Sequence, residues 1–224
     1  MRVRAVQNVH GVTNVDWNEF IAVCYFGGKD KDDWLDRCIR RGYLDMSRTL
    51  HGMARFATDH RGWKPGMTGL LRQRLDVLPA TREWTADAFD EWHRSSVTAL
   101  QALSESLGYG AEGTVQALPR ARFTVGQAQK WINMSIKYTI ALGESRIPGF
   151  SGVHPVAHAA LDGIVISALV RDGMDPLSSP WSKLNDYGRY MDCQVWIRGR
   201  YPGETSLQVE NRLWLRAQSR EGFR

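Results

Sequence analysis

The stretch TVGQAQKWINMSIKYTIALG, residues 124–143, decides the fold. Thr124 has the side chain of a helix cap and Gly143 is a helix stop, so a long helix is expected between them. Trp131, Ile132, Met134 and Ile136 make it largely apolar, yet Lys130, Asn133 and Lys137 lie on it within two turns. The step from Lys130 to Lys137 returns almost to the same face, so two amines share a face with an amide. An amine on so apolar a helix is partly desolvated, and desolvation favours the neutral form that Schiff-base chemistry requires; the plainer alternative is that both amines reach out to water.

Outward from this helix the pattern stays helical. Upstream, Asp16 is a cap for a core helix carrying Trp17, Phe20, Ile21, Cys24 and Tyr25 up to Gly27-Gly28, and residues 30–41 repeat the scheme until Gly42 stops it. A short helix is expected over 45–57, another from Thr68 to Leu78 before Pro79, and a long one over 86–107 between Thr85 and Gly108. Gly110, Gly113 and Pro119 mark a loop. Downstream, LDGIVISALV reads as a short apolar helix with Asp162 at its cap, despite its β-branched residues, because no alternating segment nearby offers a partner strand. Ser182 to about Gly199 and Glu204 to about Arg216 complete the set. With no repeats and no linker, the expected architecture is all-α, a single helical domain over 1–224 with its catalytic core at about 120–200.

The 224 residues are 43% hydrophobic, enough for a real core, and carry a net charge of +5, which permits nucleic acid without demanding it. Cys24, Cys38 and Cys193 are dispersed and never form CxxC, which indicates neither a disulfide framework nor a structural zinc and is too few for a cubane cluster, so no cofactor is expected. No window approaches a membrane span, so a cytoplasmic, membrane-free monomer is expected.

FTVGQAQKWINMSIKY followed by HAALDGIVISAL resembles the core of helix-hairpin-helix DNA glycosylases, and most the archaeal 8-oxoguanine glycosylase branch. The resemblance covers roughly residues 123–170 and implies that Lys130 is the catalytic lysine and Asp162 the catalytic aspartate. It also implies a domain of that family's fold and excision of a modified base from duplex DNA, either an oxidised guanine or a hypermodified base of phage DNA, with associated strand scission through an imine. Only Val125-Gly126 stands where the family has a Gly-Val-Gly type turn, and Gly163 follows the aspartate where a bulkier residue is common, leaving room for a larger base. The chemistry is coherent: a fixed carboxylate stabilises positive charge developing on the sugar while an amine attacks C1′. Capping of the following helix is the other role open to Asp162, and the two are compatible.

Gln129 and Asn133, flanking Lys130 on its helix, join the expected substrate-binding set, and Lys137 is the alternative nucleophile. Nine tryptophans are present; of Trp131, Trp181, Trp196 and Trp214 in the carboxyl-terminal half, Trp131 and Trp196 are the expected stacking wall for a flipped base. Arg189, Arg198 and Arg200 are the expected phosphate contacts. A competing set is His154, His158 and Asp162, spaced by four, which on one helix would align three metal ligands for a hydrolase, but Pro155 pushes His154 off any such helix. A helical DNA- or protein-binding module without activity is the alternative from a different class.

Overall fold

The computed structural model describes residues 14–27, 33–50, 62–80, 83–108 and 122–221. These form eight α-helices: α1 (Asn14–Phe26), α2 (Trp34–Ser47), α3 (Trp63–Asp76), α4 (Ala86–Ser106), α5 (Val125–Leu142), α6 (Gly163–Arg171), α7 (Tyr187–Arg200) and α8 (Ser206–Glu221). Single turns of 3-10 helix lie at Ser151–Val153 and Trp181–Lys183, and among the described residues there is no strand. The protein is all-α, as its periodicity predicts. The loop read at Gly110, Gly113 and Pro119 and the end of the expected 45–57 helix lie outside the described residues.

Helix α5 is the axis of the fold because it has almost no exposed face. Fifteen of its residues are buried, the polar Gln129, Lys130 and Asn133 among them beside Trp131, Ile132 and Ile136. Its start is fixed by a capping box in which the Thr124 hydroxyl accepts from the Gln127 amide while the Gln127 side chain accepts from the Thr124 amide, a contribution of about 1 kcal/mol. Gly143, at φ 79°, ends it. Helices α2, α4 and α7 pack on it, and one hydrophobic cluster collects residues from all eight helices.

Helix α2 runs through Gly42 instead of stopping there. A Cβ at this position would lie 2.8 Å from Ser135 Oγ and 3.1 Å from the Trp131 carbonyl, so glycine is present to let α2 lie against the α5 backbone. The tertiary contact outweighs the roughly 1 kcal/mol that glycine costs inside a helix.

Helix α1 departs further from its reading as a core helix. Asp16 lies inside it and not at its cap, and Trp17, Phe20 and Ile21 are each more than half exposed. Among its described side chains only Ala22 is buried, with Phe26 packed against the core and Tyr25 reaching Tyr138 across a hydroxyl–hydroxyl contact of 3.0 Å. Apolar residues occur nearly all round this helix, so the pattern holds no phase that tells which side faces inward. No helix among the described residues is long and apolar enough to cross a membrane.

Candidate active site

Between α5 and α6 the chain crosses the molecule as a non-helical segment, residues 157–162, of which 157–161 are buried. A buried irregular backbone needs partners for its amides and carbonyls, and here side chains supply them. Gln194 on α7 accepts from the Ala159 amide at 3.1 Å and donates to the Ala159 carbonyl at 2.9 Å, presenting the donor and acceptor that a neighbouring strand would. Gln129 on α5 does the same for Leu161, at 3.2 Å and 2.8 Å. Between them the Ala160 amide donates to Glu210 Oε2 on α8 at 3.0 Å. Asn133 Nδ2 adds contacts to the Ala159 carbonyl and to the Tyr190 hydroxyl.

This clamp delivers Asp162. Its Oδ1 accepts from the amides of Ile164 and Val165, both at 3.0 Å, capping α6, and its Oδ2 accepts from Lys130 Nζ at 2.7 Å. The two residues are 32 positions apart in sequence and form a close ion pair whose amine is nearly buried while the carboxylate keeps some exposure. The capping and lysine-pairing roles of Asp162 thus coexist, one oxygen for each.

Both residues lie in a cleft of about 900 Å³. Its floor is α5, with Lys130, Met134, Lys137 and Tyr138; one side comes from Tyr25, Arg41, Asp45 and Arg48, the other from α8, with the N-terminus of α6 and Trp181 closing the end near Asp162. Lys137, on the same face of α5 as Lys130, donates to Glu210 Oε1 at 2.8 Å. Gly163 opens the wall beside Asp162, where an added Cβ would meet only Trp181 Nε1 at 3.9 Å. Trp181 is brought there by Gly126: a Cβ on Gly126 would sit 1.7 Å from the Trp181 carbonyl, so only glycine lets that turn rest on the first turn of α5. The Gly126 amide donates to the Leu184 carbonyl at 2.9 Å and is therefore engaged inside the protein.

Several expected contacts lie elsewhere. Trp131 is fully buried, its indole N–H donating to the Ile39 carbonyl at 2.9 Å, so it is a core residue facing α2 and no wall for a base. Trp196 packs edge-on against Tyr201 at 6.0 Å and does not line the cleft. The cleft tryptophans are Trp181 and Trp214. Gln129 and Asn133 are buried in the clamp, acting on the backbone instead of facing the cleft.

Arg198 is spent inside the protein, its guanidinium donating twice to Asp90 at 2.9 and 2.6 Å. Arg189 donates to the carbonyls of Asp175 and Pro176, and Arg200 is exposed beside the Tyr201 ring. None of the three lines the cleft.

The histidine set is not assembled either. His154 follows the 3-10 turn, whereas His158 is buried with Nε2 2.7 Å from Asp90 and Nδ1 2.8 Å from the Tyr190 hydroxyl, so both ring nitrogens are engaged. Among the described residues no three His, Cys, Asp or Glu side chains are grouped to hold a metal ion. Burial holds His158 below the ordinary histidine range although Asp90 opposes it, and burial followed by the neighbouring His158 holds His93 lower still. Burial alone would raise the Asp90 carboxyl, but its bonds from Arg198 and His158 outweigh that and hold it well below the carboxylate range.

Glu210, Arg48 and Asp45 are cleft residues that local pattern does not single out, because each is brought to the cleft beside α5 only by the tertiary fold. No family model, no curated protein and no solved structure matches the chain.

Proposed function

We propose that the protein is a DNA glycosylase with associated lyase activity that removes a modified base from duplex DNA. The observation that carries this reading is the 2.7 Å contact between Lys130 Nζ and Asp162 Oδ2 at the floor of an open cleft. Lys130 is the nucleophile. Its proton passes to Asp162 Oδ2 and on to the departing base, while the freed lone pair attacks C1′ as the N-glycosidic bond breaks. Asp162, anchored by the first turn of α6, cannot swing away and stabilises the positive charge that develops on the sugar. Ring opening then gives the imine, from which loss of the C2′ proton expels the 3′ phosphate.

The cleft suits this use. Pockets for small ligands span roughly 300–1,000 Å³, and this one offers Trp181 and Trp214 as flat surfaces for a base taken out of the stack. With Gly163 beside Asp162, there is space at the reacting end for a base larger than the standard four.

A duplex carrying a natural abasic site tests the reading without knowledge of the base, because the nucleophile attacks the same C1′. Borohydride should trap a covalent adduct with the native protein and none with Lys130→Ala. Undiminished trapping by Lys130→Ala overturns the assignment, and failure of the native protein to trap any abasic duplex counts against the reading as a whole.

A further inference from the structure

We infer that Arg48 is the phosphate-binding cation of the cleft, receiving a backbone phosphate next to the nucleotide that Lys130 attacks; this rests on the glycosylase reading above. The inference comes from the charges lining the cleft. Four cations and three carboxylates face it, and three cations are taken: Lys130 by Asp162 at 2.7 Å, Lys137 by Glu210 at 2.8 Å and Arg41 by Asp45 at 3.5 Å. Among the described residues Arg48 has no carboxylate partner, so the surplus positive charge of the cleft is its guanidinium.

Its position is built. Arg48 is the residue after α2, where the backbone turns: the Thr49 hydroxyl donates to the Met46 carbonyl at 2.8 Å, and Gln127 Nε2 donates to the Thr49 carbonyl at 2.9 Å. Gln127 lies one helical turn before Lys130, so the base of Arg48 is tied to the Lys130 end of α5 while its side chain remains exposed. An exposed guanidinium at a cleft edge fits the oxygens of a phosphodiester, which it can take two at a time. Phosphates flank C1′ on both sides of a nucleotide, so a cation near the attacking amine holds the backbone while the base turns inward.

Arg48 lines the cleft that holds Lys130, so its contribution should be largest when a nucleotide is drawn into that cleft. Binding is read by fluorescence anisotropy on two duplexes, one intact and one carrying a stable tetrahydrofuran abasic analogue. For Arg48→Gln, affinity for the analogue duplex should fall about tenfold and its salt dependence should lessen by about one released counterion, with intact duplex affected less than twofold. Arg48→Lys should recover the salt dependence but only part of the affinity. Equal losses on both duplexes would make Arg48 a general surface cation and overturn the inference, as would no loss on either. Borohydride trapping by the native protein in the same series separates the two levels. If it traps and Arg48→Gln binds like the native protein, only the Arg48 assignment falls; if it does not trap, the glycosylase reading fails and takes this inference with it.

Discussion

Two lysine–carboxylate pairs lie on the floor of one cleft, two turns apart on α5, and they are built in opposite senses. In the Lys130–Asp162 pair the amine is nearly buried and the carboxylate is the more exposed partner; in the Lys137–Glu210 pair the carboxylate is sealed and the amine is the more exposed partner. Each carboxylate spends one oxygen on backbone, Asp162 on the start of α6 and Glu210 on Ala160. The other oxygen of each accepts from its lysine, so the difference is one of exposure: the Asp162 carboxylate keeps some exposure at the cleft, whereas Glu210 is sealed beneath Lys137 and holds the segment that carries Asp162. On the proposed glycosylase reading, pairs of the same chemistry thus divide into one that reacts and one that supports.

The sharpest way to break this division is Asp162→Asn. The amide oxygen still caps α6, but the nearly buried Lys130 ammonium loses its carboxylate, so the variant should fold with a lowered urea midpoint while excision and trapping drop by on the order of 10³-fold. A native rate would reduce Asp162 to a helix cap. Glu210→Ala should do the reverse, strongly affecting the fold. It strands the Lys137 ammonium and leaves the buried Ala160 amide without its acceptor, a loss of about 3 kcal/mol in stability by urea titration. A loss below about 1 kcal/mol would show that the segment holds its course without the clamp.

Locally, Lys130 is one of two lysines on an apolar helix and Asp162 the cap of an apolar run; their pairing is what the resemblance to the glycosylase core implies. The helix ends at Thr124, Gly143, Thr85 and Gly108 are legible from local pattern. What the sequence hides is the direction in which a residue of a nearly all-buried helix points. Trp131 and Lys130 are adjacent on α5, yet one packs on Ile39 and the other opens to the cleft. Gly42 misleads because a helix stop and a close helix crossing call for the same residue. Glu210, Gln129 and Gln194 converge on three consecutive residues from three helices, and no spacing announces such a clamp.

Behind the clamp lies a third titratable region whose acid response should leave a distinct signature. His93 and His158 are buried with their proton affinities lowered, so the unfolded chain binds protons there that the native state refuses. Stability is then full above the unfolded histidine value of about 6.5 and is lost as pH falls below it, by up to about 1.4 kcal/mol per pH unit for each histidine. Below about pH 6.5 the urea midpoint should therefore decline steadily, with little change above it. A flat midpoint would mean that both rings accept protons in place, in conflict with the burial that lowers their proton affinity.

The smallest expected effect is the most discriminating for the two pairs. Replacing both members of the supporting pair, in Lys137→Met/Glu210→Gln, removes two opposite charges at once. The introduced glutamine keeps a carbonyl oxygen for the Ala160 amide, and the methionine fills much of the lysine stem, so no charge is left buried without a partner. Stability should change by less than about 1 kcal/mol and trapping on an abasic duplex by less than about threefold. The corresponding double replacement of the reacting pair, Lys130→Met/Asp162→Asn, keeps the cap and the packing but should trap nothing. If the supporting double variant loses trapping as completely as Lys130→Ala does, then Lys137 takes part in the chemistry. The two pairs would then act as one site, and the contrast drawn from their opposite burial would be wrong.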